Sequence, residues 1–261
     1  MRLSDFHTHT KYSFDSEAEP EDVVLSAIEK GLHAIAITDH ADVDCEDQGL
    51  SCDFSYAGRK ELISGLKDKY KDKIKILHGM EIGQPYNRAE FSEELVKSNG
   101  FDFVLGSVHN LTSFPDFCFL KFDHIPQEMT YKLLKRYVEE NIKLTKIDYV
   151  DVIGHITYPL RYIYLAGAEI DISKLYCEYE KLLKEIVKSG KIIEINTSTL
   201  RKGLDFTMPS KDLLDIYKSV GGRYVTLGSD AHCPEDVGAN LDDGMKLAQS
   251  VGLEAISDFS K

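Results

Sequence analysis

Seven short strand-like runs, most of them apolar and separated by charged stretches with helical patterning, dominate this chain of 261 residues. They span Arg2 to His9, His33 to Thr38, Ile74 to Leu77, Phe101 to Leu105, Tyr149 to Ile153, Lys191 to Ile195 and Arg223 to Leu227. Each ends in, or is followed within four residues by, histidine, carboxylate or asparagine. Runs of this kind suit strands of a parallel sheet. Between them, helices are expected from Pro20 to Lys30 (Glu19 and Glu21 favour its start and Gly31 ends it), Arg59 to Lys71, Phe91 to Lys97 and Glu128 to Lys146. Others are expected from Ile172 to Ser189, Lys211 to Ser219 and Val237 to Gln249. Ala41 to Tyr56, Leu111 to Gln127 and Ile156 to Ile170 read as loops. Strand and helix alternate without a Pro/Gly-rich linker, which predicts βαβ units in a single domain over residues 1–261. A barrel gathers its active-site groups from the C-terminal ends of all its strands, whereas an open sheet concentrates them at one switch point. Polar residues at every strand end therefore predict a barrel.

The first run contains Asp5-Phe6-His7-Thr8-His9. Alternation along a strand puts Asp5, His7 and His9 on one side. Two imidazoles so placed can reach one metal ion, and a nearby carboxylate can orient them. His-x-His alone is a weak signal, and its recurrence elsewhere strengthens it. Of nine histidines, His7, His9, His40, His109, His155 and His232 lie at strand ends, while His33, His78 and His124 read as packing or loop residues. Glu81 and Asp230 are strand-end carboxylates flanked by glycine, which permits close approach of backbone to a ligand. A single catalytic zinc takes about three protein ligands, so this inventory implies at least two ions. Asn196 is either a polar site residue or a strand-end cap.

Composition narrows the class. The net charge of −13 argues against binding nucleic acid through its phosphates. No apolar run is long enough to span a bilayer, and motif residues occupy the N-terminus in place of a signal peptide. Five cysteines (Cys45, Cys52, Cys118, Cys177 and Cys233) form no Cys-x-x-Cys pair, which suggests reduced thiols. The expectation is a cytoplasmic enzyme acting on a small molecule.

Taken together, Asp5-Phe-His7-Thr-His9, Thr38-Asp39-His40, Glu81, Ser107-Val-His109, Gly154-His155 and Ser229-Asp230-Ala-His232 resemble the motif set of the PHP (polymerase and histidinol phosphatase) superfamily, end to end. The length and the segment Asn196-Thr-Ser-Thr-Leu-Arg201-Lys look most like its stand-alone histidinol-phosphate phosphatases. The resemblance implies a distorted (β/α)7 TIM-like barrel with three divalent metal ions. His7, His9, Glu81 and Asp230 would hold the first ion. Glu81 would bridge to a second, completed by His109 and His155. Asp15, His40 and His232 would hold the third. Cys233 is soft enough to bind metal, but the set is complete without it. Arg161 and Arg201, which follow strands five and six, would grip the substrate phosphate.

The chemistry of these residues agrees with a phosphatase. Two metal ions about 3.5–4 Å apart can share a hydroxide, lower its pKa and polarise a phosphoryl oxygen for in-line attack. Arginine offers a planar fork for the non-bridging oxygens. Sets of histidine and carboxylate accept zinc, manganese and iron alike. The leaving alkoxide needs a proton or a metal ion, and His232 and water on the third ion are the candidate proton donors, neither of which the sequence assigns. The favoured activity is hydrolysis of L-histidinol phosphate in histidine biosynthesis, a small phosphate-ester substrate. Its cationic amine would suit acidic residues Asp42, Asp44, Glu46 and Asp47 near the mouth. The alternatives are another phosphomonoesterase, a phosphodiesterase or oligonucleotide nuclease, and a non-catalytic module. The acidic charge opposes a nuclease, and the full ligand set opposes a non-catalytic module.

Overall fold

The computed structural model describes residues 2–45, 56 and 58–259. Its strands are β1 (Ser4–Thr8), β2 (Ala34–Ile37), β3 (His40–Asp42), β4 (Lys75–Gly83), β5 (Phe103–Ser107), β6 (Val152–Ile153), β7 (Ile192–Asn196), β8 (Tyr224–Gly228) and β9 (Glu254–Ala255). Its helices are α1 (Pro20–Glu29), α2 (Arg59–Tyr70), α3 (Ala89–Asn99), α4 (Gln127–Leu144), α5 (Tyr158–Leu165), α6 (Tyr176–Lys188), α7 (Ser198–Arg201), α8 (Lys211–Ser219) and α9 (Leu241–Ser250). No helix among the described residues is long and apolar enough to cross a membrane.

Every strand pair is parallel, in the order β1-β2-β4-β5-β6-β7-β8-β9, with β3 beside the later half of β4. The sheet closes on itself at its C-terminal end. There Thr8 bridges Ala231, His9 N–H donates to Ala231 O at 2.8 Å, and Asp230 N–H donates to His7 O at 2.8 Å. At the other end β9 pairs with β8, and Ser4 Oγ donates to Ser257 O at 2.6 Å. The C-terminal tail therefore lies between β8 and β1 at the base of the barrel. Phe6, Ala36, Leu77, Phe103, Leu105 and Val152 fill the interior below the strand ends, with Phe259 packed beneath them. Ile35, Ile37, Ile153, Ile193, Ile195, Val225 and Leu227 face outward into the larger core shared with the helices.

The seven expected strands are all present, and the structure corrects the pattern at four places. β3 continues the line of β2 after a break at Thr38 and Asp39. β9 is too short to show any periodicity. Helix α5 occupies a segment read as loop, because its aromatic-rich Tyr-Pro-Leu-Arg-Tyr-Ile-Tyr-Leu stretch hides a helix started by Pro159 in its first turn. Residues Ser198–Arg201 form the short helix α7. Cys118, Cys177 and Cys233 are free, but Cys45 is disulfide-bonded and not the thiol expected.

The break between β2 and β3 is held by a buried charge. Arg59, at the start of α2, is fully buried and its Nη2 donates to Ile37 O at 3.0 Å and Gly79 O at 2.9 Å. It thereby serves carbonyls beside the break in the β2–β4 ladder. Asp39 neutralises it, with Arg59 Nε to Asp39 Oδ2 at 2.7 Å. Although burial opposes ionisation of Asp39, the Arg59 guanidinium holds its carboxyl below the ordinary value. Removing one partner of such a pair leaves an uncompensated buried charge. Arg59→Met is therefore expected to cost about 3–5 kcal/mol in urea denaturation, and Arg59→Met with Asp39→Asn to recover much of it. A single variant within 1 kcal/mol of wild type would contradict this.

Candidate metal centre

The strand ends converge at the closed mouth of the barrel, and a local irregularity aims the first ligands. Asp5 pairs with Ile35, which faces the outer core, and the register of β1 shifts between Asp5 and Thr8. Such a bulge breaks strict alternation. Phe6 and His7 both turn inward as a result, and Asp5 does not share their side as the alternation suggested. Its carboxylate instead accepts from Ser229 N–H (2.9 Å), Ser229 Oγ (2.5 Å) and Gly238 N–H (2.8 Å), tying β1 to the loop after β8.

All nine expected metal-binding residues are brought together. Glu81, fully buried on β4, lies between two clusters. Its Oε2 is 3.2 Å from His7 Nε2 and 3.6 Å from His9 Nε2, and both imidazoles also face Asp230 Oδ1, at 3.8 and 3.5 Å. Its Oε1 is 3.1 Å from His109 Nε2 and 2.9 Å from His155 Nε2. At the rim, Asp15 Oδ2 lies 3.1 Å from His232 Nε2 and 3.7 Å from His40 Nε2. His9 stacks between His40 and His232, with centroids 4.3 and 4.1 Å away, so the rim and inner clusters adjoin. His7 Nε2, His9 Nε2 and Glu81 Oε2 are buried without a hydrogen-bond partner. Such atoms are costly unless satisfied, and these face one another across gaps of metal-ligand size. The donor set fits divalent cations.

For four of the six rings, the far side explains the aim. His7 Nδ1 lies 2.7 Å from Glu194 Oε1, His109 Nδ1 2.7 Å from Asp42 Oδ1, and His232 Nδ1 3.0 Å from Asp230 O. Each acceptor requires the proton on Nδ1, which leaves the Nε2 lone pair directed inward. The Ser13 hydroxyl donates to Asp39 (3.1 Å), so it accepts from His9 Nδ1–H at 2.9 Å. Glu194 was missed in the sequence, where only Asn196 at the end of that strand drew notice. A glutamate inside Ile-Ile-Glu-Ile was the available signal, because a carboxylate buried in an apolar strand needs a partner. Asn196 is a cap, accepting from Ser198 N–H at 3.1 Å. The glycines beside Glu81 and Asp230 make room for these orienting groups. A Cβ on Gly228 would lie 2.0 Å from Glu194 Oε1, and one on Gly83 2.0 Å from Asp42 Oδ1.

Electrostatics follow the geometry. Burial opposes charge on Glu81, but His7, His109 and His40 hold its carboxyl well below the ordinary value. Burial likewise opposes protonation of His7, and Glu194 and Glu81 override it and raise its pKa. His9 is pushed down to about 3, by burial and then by His232 and His40.

Other expectations are revised. Asp42 is no solvated mouth residue, because it is buried and anchors His109. Asp44 is also buried and accepts from Gln84 Nε2 at 3.0 Å and Asn87 Nδ2 at 2.8 Å. Glu46 and Asp47 lie outside the described residues. Arg161 lines the cavity, with Nη2 donating to Asp230 Oδ2 at 2.7 Å and Nε buried without an acceptor. Arg201 is not in that lining. It donates to Ser229 O and to Asp230 O (2.6 Å) and pairs with Asp236 at 3.0 Å, bracing the turn that carries Asp230. His78 packs on Phe101 and is pushed down to about 3 by burial, and His124 is exposed. His33 contributes to a groove with Lys67 and Lys75 and has no part in the strand-end cluster.

Glu194→Gln keeps the shape but weakens the hold on the His7 tautomer. It is expected to lower metal affinity about 10–100-fold, measured by chelator competition. Gly228→Ala is expected to do the same by displacing Glu194, and unchanged affinity in both variants would refute the orienting role.

The PHP domain family model matches residues 5–198. A probable histidinol-phosphatase of Clostridium acetobutylicum is 30% identical, over 97% of this chain and 95% of its own length. The histidinol-phosphatase of Lactococcus lactis is 28% identical, over 100% and 95%. A crystal structure of histidinol phosphate phosphatase from Lactococcus lactis, complexed with zinc, L-histidinol and phosphate, shares the fold. Its TM-score is 0.83 at 24% identity, over 99% of this chain and 97% of that one. With the family matched across most of its length and the strand-end ligands gathered in one place, this chain belongs to the PHP domain family.

Proposed function

We propose that the protein is a metal-dependent phosphomonoesterase that hydrolyses L-histidinol phosphate to L-histidinol and phosphate. The observation that carries this reading is a cavity of about 330 Å³ whose wall joins Glu81, Asp230 and four of the imidazoles to the guanidinium of Arg161. The names of the curated relatives and the ligands of the Lactococcus lactis structure favour the same substrate.

His7, His9, Glu81 and Asp230 would hold one divalent ion, Glu81, His109 and His155 a second, and Asp15, His40 and His232 a third. Zinc, manganese and iron all suit such ligands. Bound there, divalent ions supply Lewis acidity toward a phosphoryl oxygen and lower the pKa of water. The chain's own residues do the rest. Arg161 is held by Asp230 and sets its guanidinium on the cavity wall to meet a non-bridging oxygen of the ester, while Arg201 steadies Asp230 from behind. Buried Tyr158 packs 5.0 Å from the rings of both His109 and His155 and keeps water off that side. A cavity of this size admits a small monoester, and the net charge of −13 repels a polynucleotide.

Phosphate release from the manganese-loaded protein tests the reading, with L-histidinol phosphate compared against glycerol phosphate and a phosphodiester. L-Histidinol phosphate is expected to be preferred. Chelation should abolish turnover and added manganese restore it. Arg161→Ala is expected to lower kcat/KM by about 10²–10³, the usual loss of one donor to a developing phosphoryl charge. Faster turnover of the diester would overturn the assignment.

A further inference from the structure

The cavity holds groups that phosphate chemistry does not use. In the loop after β5, Asp116 lines it and caps the short 3-10 turn Phe117–Phe119. Asp116 Oδ1 accepts from Cys118 N–H at 2.7 Å and from the Tyr158 hydroxyl at 3.2 Å, so its carboxylate is fixed in direction. The Arg161 guanidinium lies over the same Tyr158 ring, with its Cζ 5.5 Å from the centroid. One tyrosine thus contacts both a guanidinium and a carboxylate in the cavity lining. Phe14 and Phe119 line the same cavity and yet are 55% and 58% exposed. One face of Phe14 stacks on His40 at 5.0 Å, and the ring marks the mouth.

We infer that Asp116 receives the ammonium of the substrate's leaving group, and that Phe14 and Phe119 offer ring faces to its imidazole. The inference rests on the functional reading above and names how that site selects its ester. An ester whose phosphate lies at Arg161 and the metal-binding wall must send its alcohol portion past Tyr158 toward the mouth. A cation arriving there meets Asp116 on a partly buried wall, where charge pairing is screened less than in bulk water. Burial pushes the Asp116 carboxyl up, a cost that a neighbouring ammonium offsets. Exposed aromatic rings gain most when a second flat ring covers them. Asp42 and Asp44, the acidic residues first expected in this role, are buried and engaged elsewhere.

The test compares the manganese-loaded wild-type, Asp116→Asn and Phe119→Ala proteins on three esters. These are L-histidinol phosphate, its desamino analogue imidazolylpropyl phosphate, and phosphoethanolamine, which has the amine without the ring. In Asp116→Asn, kcat/KM on L-histidinol phosphate should fall about a hundredfold, mostly through KM, while the desamino ester is nearly unaffected. In Phe119→Ala, at an exposed position where folding is not at stake, both imidazole esters should lose about tenfold and phosphoethanolamine should be unchanged. An equal fall on amino and desamino esters would show that Asp116 only supports the loop or protonates the leaving group, and would overturn the inference. An absence of any fall would do so as well. A wild type without preference for L-histidinol phosphate over glycerol phosphate would refute the functional reading alone. The amino-to-desamino ratio would still decide the role of Asp116.

Discussion

The structure turns on one buried carboxylate. Glu81 has no exposure to solvent and faces imidazoles on both of its oxygens, His109 and His155 on one and His7, His9 and His40 on the other. A charge so placed is tolerated only where opposite charge surrounds it. The barrel supplies that surrounding by sending one or two nitrogen donors from nearly every strand end to a common point. Closure between β1 and β8 is what allows His7 and Asp230 to meet across a seam separated by most of the sequence.

Holding imidazoles in one tautomer is the second constraint, and it accounts for residues that otherwise look incidental. Glu194, Asp42 and Ser13 each fix a ring by its Nδ1. Gly228 and Gly83 exist as glycine so that two of those groups can approach. Arg59 and Asp39 close the break that lets β3 bring His40 and Asp42 to the mouth. Stability and ligand geometry are therefore coupled, because the same buried pairs serve both.

On the proposed function, the metal-binding floor and the aromatic mouth divide the work of recognition. A phosphoryl group is recognised by charge and by fixed donors, which a rigid barrel end provides well. In the proposed binding mode the alcohol portion meets the loop after β5 and the loop after β1, and loops are where side chains vary most readily on a fixed scaffold.

Much of this was legible in the chain itself. Apolar runs alternating with helical stretches determined a parallel sheet of βαβ units, and polar residues at every strand end pointed to a barrel and to the end that carries its site. Those signals survive in one dimension because strand period and strand end are local properties. The sequence could not show that a bulge would reverse Asp5 and turn His7 inward, since a register shift depends on the neighbouring strand. Nor could it separate Asp42, which anchors a ring, from an ordinary solvated aspartate, or Arg161 on the cavity wall from Arg201 behind it. Those distinctions arise when residues far apart in the chain are buried against one another, and burial is what converts an ordinary charged side chain into one with a fixed partner and direction.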